Sequence, residues 1–283
     1  MRRDSSRLRR RGNLARWLLL GNAMEMRRIT FALLVLAHIC CLSAQEVNQE
    51  GATYGPRKST QQEVQTIISA IRDAPANGET KRTAVLALIE IEDTAKYDVL
   101  VEALDDTDNN PLARIAIAQV LIHLTVIQGD MDAVLPLIRS LGKDSCLYAF
   151  MVLAHLKDRA ANALIQALDK KDDSISRHVG WLLGIVGEPA VPSLIEKLKD
   201  EELHVRKYAA FALGEIEDKK CVPSLISLLD DESEEVRVFA AEALGKITSK
   251  HFGNPKKDID TVAAKWLGWW TETGKAEYRP EGN

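Results

Sequence analysis

Asp106, Thr107, Asp108, Asn109 and Asn110 are five consecutive oxygen-bearing side chains, the donor type that a hard cation such as calcium takes. A calcium loop of that kind also needs glycine at its sixth position and a bidentate glutamate at its twelfth. Here those positions hold Pro111 and Ile117, so the segment reads as an Asx-rich turn whose polar groups cap a helix. His123, His155, His178, His204 and His251 lie in five separate segments, and no two share the i, i+4 spacing of a helix-borne metal site. They read as surface or partly packed histidines. No G-x-S-x-G, H-E-x-x-H, glycine-rich phosphate loop or C-x-x-C occurs. Neither a catalytic residue, a metal nor a cofactor is expected.

The elements that would carry any site are repeats. VPSLI at Val191 to Ile195 is followed by VRKYAAFALGEI from Val205 to Ile216. Thirty-one residues later VPSLI returns at Val222 to Ile226, followed by VRVFAAEALGKI from Val236 to Ile247. A looser copy precedes them, with Leu164, Leu168, Ile175, Leu183 and Gly184 in the places of Leu194, Leu198, Val205, Leu213 and Gly214. Earlier copies keep the rhythm at Met131 to Leu141 then Cys146 to Leu156, Tyr97 to Leu104 then Leu112 to Leu124, and Glu63 to Ile71 then Lys81 to Ile91. Each of these six units has apolar residues at helical spacing, which predicts a helical hairpin with one apolar face. A hairpin of this size cannot bury its face alone, so neighbours must stack. The expected fold is all-α: an α-solenoid, a right-handed superhelix of about six hairpins with a C-terminal capping helix.

The punctuation fits that fold. Pro192 and Pro223 fall in the first turn of a first helix, where a missing N–H costs nothing. The acidic turns at Asp200 to Glu202 and Asp230 to Glu232 precede second helices, where such residues are expected to cap. Gly184, Gly214 and Gly245 fall inside helices at a cost of about 1 kcal/mol each, which close approach of the neighbouring helix is expected to compensate. Arg82, Arg114, Arg206 and Arg237 recur just inside second helices, at the wrong end of the helix dipole for a cation. They read as structural arginines paired with acids such as Asp200 or Asp231. Helices packed about 8–10 Å apart put Cys146 and Cys221 about 25–30 Å apart, beyond the ~7 Å Cα limit of a disulfide, so both are expected as thiols.

The runs at 205–214 and 236–245 resemble HEAT repeats of the phycobilisome-lyase-like class, and the resemblance extends over about residues 60–247. Some members of that class are subunits of bilin lyases, and many others are scaffolds and adaptors. Where the class has a small residue and then a polar one in the second helix, this chain has Tyr208 and Phe211. The aligned pairs are Tyr148 and Met151, His178 and Trp181, and Phe239 and Glu242. Residues at i and i+3 share a face, and second helices of such solenoids line the concave side. Tyr148, Met151, His178, Trp181, Tyr208, Phe211 and Phe239 are therefore a candidate partner-binding stripe; the competing reading has Tyr208, His178 and Phe239 fill space between repeats. Trp266, Trp269 and Trp270, on an expected helix from about Asp258 to Thr271, would seal the open end of the stack. This tail resembles one that follows HEAT repeats in some exported bacterial proteins.

At the N-terminus, Arg27 and Arg28 precede an apolar run from Ile29 to Ile39 and a small-residue stretch ending at Ala44, the pattern of a secretory signal peptide. The expected organisation is a basic extension or misassigned start over 1–25, a signal peptide over 26–44, a linker over 45–58, six repeats over 59–247, a capping segment over 248–274 and a disordered tail over 275–283. Nine arginines and two acidic residues fall before residue 45, so of 37 basic and 41 acidic residues 28 and 39 remain, a net charge near −11. An acidic surface repels phosphate backbones and anionic lipid. The expected function is an exported, periplasmic or secreted, non-catalytic scaffold that binds a protein or peptide, neutral or basic, with no nucleic acid and no stable membrane insertion after signal cleavage. The alternatives are a subunit of a lyase-like, chromophore-attaching enzyme and a carbohydrate or cell-wall binding module.

Overall fold

The computed structural model describes residues 61–73, 87, 88, 91, 94–106, 111–143 and 146–278. The chain divides into two units, Met1–Pro56 and Arg57–Asn283, and the described residues all belong to the second. The leader, the linker, Arg82 and the Asx-rich turn after Asp106 lie outside the described residues, as does most of the second helix expected in the first repeat.

The fold is an all-α solenoid, with no strand among the described residues. After α1 (Gln61–Asp73), first helices are α2 (Ala95–Asp105), α4 (Val134–Ser140), α6 (Ala161–Ala167), α8 (Val191–Lys197) and α10 (Val222–Ser227). Second helices are α3 (Pro111–Ile122), α5 (Leu147–Leu156), α7 (Asp173–Val186), α9 (Leu203–Ile216) and α11 (Glu234–Thr248). The first helices of the last three repeats are only six or seven residues long, and each is preceded by a 3-10 turn, such as Glu188–Ala190 before α8. Pro192 and Pro223 stand in the first turn, as their missing N–H requires.

Second helices lie side by side, α3 on α5, α5 on α7, α7 on α9 and α9 on α11, while first helices make a second layer in which α2 meets α4 and α4 meets α6. The repeat leucines Leu164, Leu194 and Leu225 of the first helices and Leu183, Leu213 and Leu244 of the second helices are all buried. Each such side chain contributes about 1.5–3 kcal/mol when fully removed from water.

Two of the three helical glycines show how closely the second helices approach. A Cβ on Gly184 would stand 2.9 Å from Glu215 Cβ, and one on Gly214 would stand 3.0 Å from the Cα of Ala243. Gly245 differs, because α11 is followed by a turn and a Cβ there would meet Lys250 O at an ordinary 3.5 Å. Gly214→Val is therefore expected to cost about 1–3 kcal/mol by overpacking. Gly245→Ala is expected to add up to about 1 kcal/mol through helix propensity. Paired thermal melts check both signs.

The acidic turns do not cap as expected. Glu202 and Ser233, at the N-cap positions of α9 and α11, make no side-chain cap bond. Asp200 and Asp231 stand two residues further back, so their Oδ1 atoms reach the backbone N–H of Glu202 (3.1 Å) and Ser233 (2.9 Å) and close the turn instead. Asp172 and Asp258 stand two residues nearer their helices, at the N-cap itself, and do cap α7 and the C-terminal helix that starts at Ile259. The remaining oxygen of Asp231 faces the previous repeat and receives Arg206 Nε at 2.7 Å, while Arg206 Nη2 donates to Oδ1 at 3.0 Å. Arg206 Nη1 donates to the carbonyls of Asp200 and Glu201. Arg237 repeats the arrangement with the carbonyls of Asp231 and Glu232 and with Asp260, and Arg114 Nε donates to Leu104 O. The arginines are structural, and each clamps the carbonyl end of the preceding first helix or turn.

The stack closes on α12 (Ile259–Trp269), packed against α11. Trp266 is 1% exposed, with Phe252 edge-on at 4.7 Å and Trp269 at 5.4 Å. The α-helix ends at Trp269 and continues as a π-turn, Trp270–Gly274, then as α13 (Lys275–Glu277). The disordered tail expected from residue 275 therefore does not begin there: Tyr278 is buried, its ring 5.9 Å from that of Trp269.

Candidate binding ribbon

The stripe residues lie on four consecutive second helices, α5, α7, α9 and α11. Their rings form a continuous chain. Phe150 meets His178 at 6.3 Å, His178 meets Trp181 at 5.4 Å, Trp181 meets Phe211 at 6.4 Å, and Phe211 meets Phe239 at 6.1 Å. Most of these contacts are edge-to-face, the geometry the ring quadrupole favours. His178, Trp181, Phe211 and Phe239 are half-buried, with part of each ring open to solvent. Phe211 lies flat across α7 because Gly180 leaves room: a Cβ there would stand 2.4 Å from the ring.

Two of the seven stripe residues belong to the core. Met151 is 0% exposed, and Tyr208 is 2% exposed, with its hydroxyl donating to the backbone carbonyl of Asp173 at 3.2 Å. Helix α5 has neighbours on both sides and an almost wholly apolar sequence, LYAFMVLAHL, so periodicity does not mark which face is open. Tyr208 lies under the ribbon, touching Phe211, Phe239 and His204. Tyr148 is half-buried, with the Arg114 guanidinium of α3 stacked 4.4 Å from its ring; the ring that reaches His178 is that of Phe150.

Sequence reasoning missed Ile185, which is 45% exposed and one helical turn beyond Trp181 on α7. Its i+4 spacing from Trp181 was the available signal. It also missed the cations that bracket the rings. Lys207 Nζ lies 4.9 Å from the ring centre of Tyr208 and 5.9 Å from that of Phe239, and Lys246 Nζ lies 5.3 Å from that of Phe211. Lys207 is held by Glu235 at 3.1 Å and Asp173 at 3.3 Å, and Lys246 by Glu215. Burial works against the charge of Lys207, and the hydrogen bonds of Glu235 and Asp173 more than reverse it, so its pKa rises above the ordinary lysine value. Burial lowers the pKa of His178 and His204, which leaves both imidazoles mainly neutral at pH 7. The ribbon is thus a largely apolar surface, and the two lysines over its rings are already paired with carboxylates.

Among the described residues no group of three or more His, Cys, Asp or Glu is placed to hold a metal ion. No single described helix is long and apolar enough to cross a membrane.

The sequence pattern of HEAT repeats matches residues 191–267, which take in the last two helical repeats and most of the capping segment. Human deoxyhypusine hydroxylase in complex with glycerol is 18% identical, over 75% of this chain and 96% of that one, at a TM-score of 0.30. An engineered protein is 21% identical, over 66% of this chain and 97% of that one, at a TM-score of 0.27. Neither likeness bears on a ligand or an activity. No curated protein matches the chain.

Proposed function

We propose that this solenoid is an exported, non-catalytic interaction scaffold that binds a protein or peptide segment along the ribbon of His178, Trp181, Phe211 and Phe239. The observation that carries the reading is the ring chain from His178 through Trp181 and Phe211 to Phe239, across three repeats, with each of the four residues left partly open to solvent. A structure needing these residues only as filler between repeats would enclose them as it encloses Met151 and Tyr208. Large rings that combine apolar area with few rotatable bonds are the residues that dominate binding energy at interfaces. The acidic excess of the chain beyond residue 44 favours a neutral or basic partner. Export rests on the leader pattern, and a periplasmic or secreted location follows from it.

Affinity capture from the exported fraction of the native cell tests the reading, with wild type beside a Trp181→Glu/Phe211→Glu double variant. A partner retained by the first and lost from the folded second is the expected result. Intact-mass measurement of the native protein tests export: the chain is expected to begin at or beside Gln45, and one that retains residues 29–39 would remove the exported-soluble reading.

A further inference from the structure

The two described cysteines stand in opposite environments. Cys221 is buried, its thiol donates to the Asp218 carbonyl at 2.8 Å, and burial pushes its pKa up to about 12. Such a thiol is inert. Cys146 is half-buried, at the N-cap of the ten-residue helix α5, with Sγ 3.5 Å from Nε2 of His178 in the next repeat. The other ring nitrogen is committed: His178 Nδ1 lies 2.8 Å from the carbonyl of Ser174, which only an N–H can satisfy. In the neutral imidazole this leaves the Nε2 lone pair facing the sulfur. Phe150 and Trp181, both edge-on to the ring, fix its plane. The helix N-terminus is the end that stabilises an anionic sulfur.

We propose that Cys146 and His178 form a thiol–imidazole pair that undergoes exchange with disulfides, making Cys146 a site of mixed-disulfide modification at the edge of the ribbon. The S–H bond of Cys146 breaks and its proton passes to His178 Nε2. The thiolate attacks one sulfur of an external disulfide, a new S–S bond forms as the old one breaks, and the departing thiolate takes the proton back from the imidazolium. The disulfide is the oxidant, and no other co-reactant enters. Cys221 is buried and does not resolve the product, so the adduct persists until an external thiol removes it. The inference does not depend on a peptide occupying the ribbon.

The test uses the full chain with glutathione disulfide as probe, quenched over time and read by residue-resolved mass spectrometry from pH 5 to 10. At pH 7, Cys146 is expected to react at least about tenfold faster in wild type than in His178→Gln. The two rates should converge near pH 10, where the thiol ionises without help. An unchanged rate in His178→Gln at pH 7 would overturn the pairing. So would a slowing by the same factor at every pH, which would reflect access to the sulfur alone. Arg177, one residue before His178, adds a like charge that lowers the basicity of the imidazole. Arg177→Gln leaves the pair in place, and in it the lower inflection of the pH–rate profile is expected to move upward; an unmoved inflection overturns the role given to His178.

Discussion

Replacing Arg206 by alanine is expected to lower the unfolding free energy by about 3–5 kcal/mol, the effect of stranding one partner of a buried ion pair. The Arg206 side chain is 9% exposed and its fork matches both oxygens of Asp231, at 2.7 and 3.0 Å. Its third nitrogen serves the carbonyls of Asp200 and Glu201 at 2.9 and 2.8 Å. Truncation leaves a carboxylate without its counter-charge and two turn carbonyls without a donor. Arg206→Lys should recover little, because an ammonium does not span the two carboxylate oxygens and the two carbonyls together. Arg237→Ala, whose partner Asp260 is open to solvent, should cost only about 1 kcal/mol. Denaturant titrations of the three variants check the order. Because the Arg206 pair joins the turns before α9 and α11, the loss falls on the coupling between neighbouring repeats, which governs solenoid stability.

The same pair sets a pH dependence. Burial alone would raise the pKa of Asp231, and the Arg206 hydrogen bonds more than reverse this, so its folded value lies below the ordinary one. Asp200 is lowered in the same sense, with burial outweighed by the Glu202 N–H and Lys197. A carboxylate with a depressed folded pKa stabilises the fold at pH above its unfolded value, near 3.9, and that contribution disappears as pH falls through the folded value. Wild type is therefore expected to lose stability steadily below about pH 4. Arg206→Ala, which no longer holds Asp231 ionised, should show a shallower slope there.

Much of the fold was legible because the last two repeats are near copies of each other. VPSLI and VR-x-x-AA-x-ALG fixed the helix pairs, the proline starts and the recurring arginine, and Arg206 pairs with Asp231 as its position near an acidic turn suggested. Legibility failed where one physical signal was degenerate. In α5 an apolar residue at nearly every position erased the phase, so Met151 was assigned to the open face although it lies in the core. The aspartates ahead of α9 and α11 are two residues further from their helices than a capping residue, a difference that boundary uncertainty conceals. Tyr278 owes its burial to rings that sit well before it in the chain, and no local pattern announced that. The Cys146–His178 approach joins residues 32 apart, and only a register between neighbouring repeats reveals it.

For Trp181→Glu/Phe211→Glu, the expected result is a protein that keeps its helicity, melts somewhat lower, and no longer binds its partner. Both rings are half-buried, so removing them forfeits part of the about 3–5 kcal/mol that a fully enclosed Phe or Trp supplies. The new carboxylates have solvent within reach. Phe211 contributes more to the fold than Trp181, because it fills the space over Gly180 and touches Phe239. Anchors at an interface contribute about 2 kcal/mol or more each, so the pair should lower affinity by at least about a hundredfold. Tyr208→Glu is the control, one turn away on α9 but enclosed, where a carboxylate has no water and the hydroxyl's bond to Asp173 is lost. That variant should unfold. A double variant that unfolds with it would mark Trp181 and Phe211 as filler between repeats. One that stays folded and still binds would move the binding surface to the acidic turns Asp200 to Glu202 and Asp230 to Glu232, where a basic partner would find solvent-exposed carboxylates such as that of Glu232.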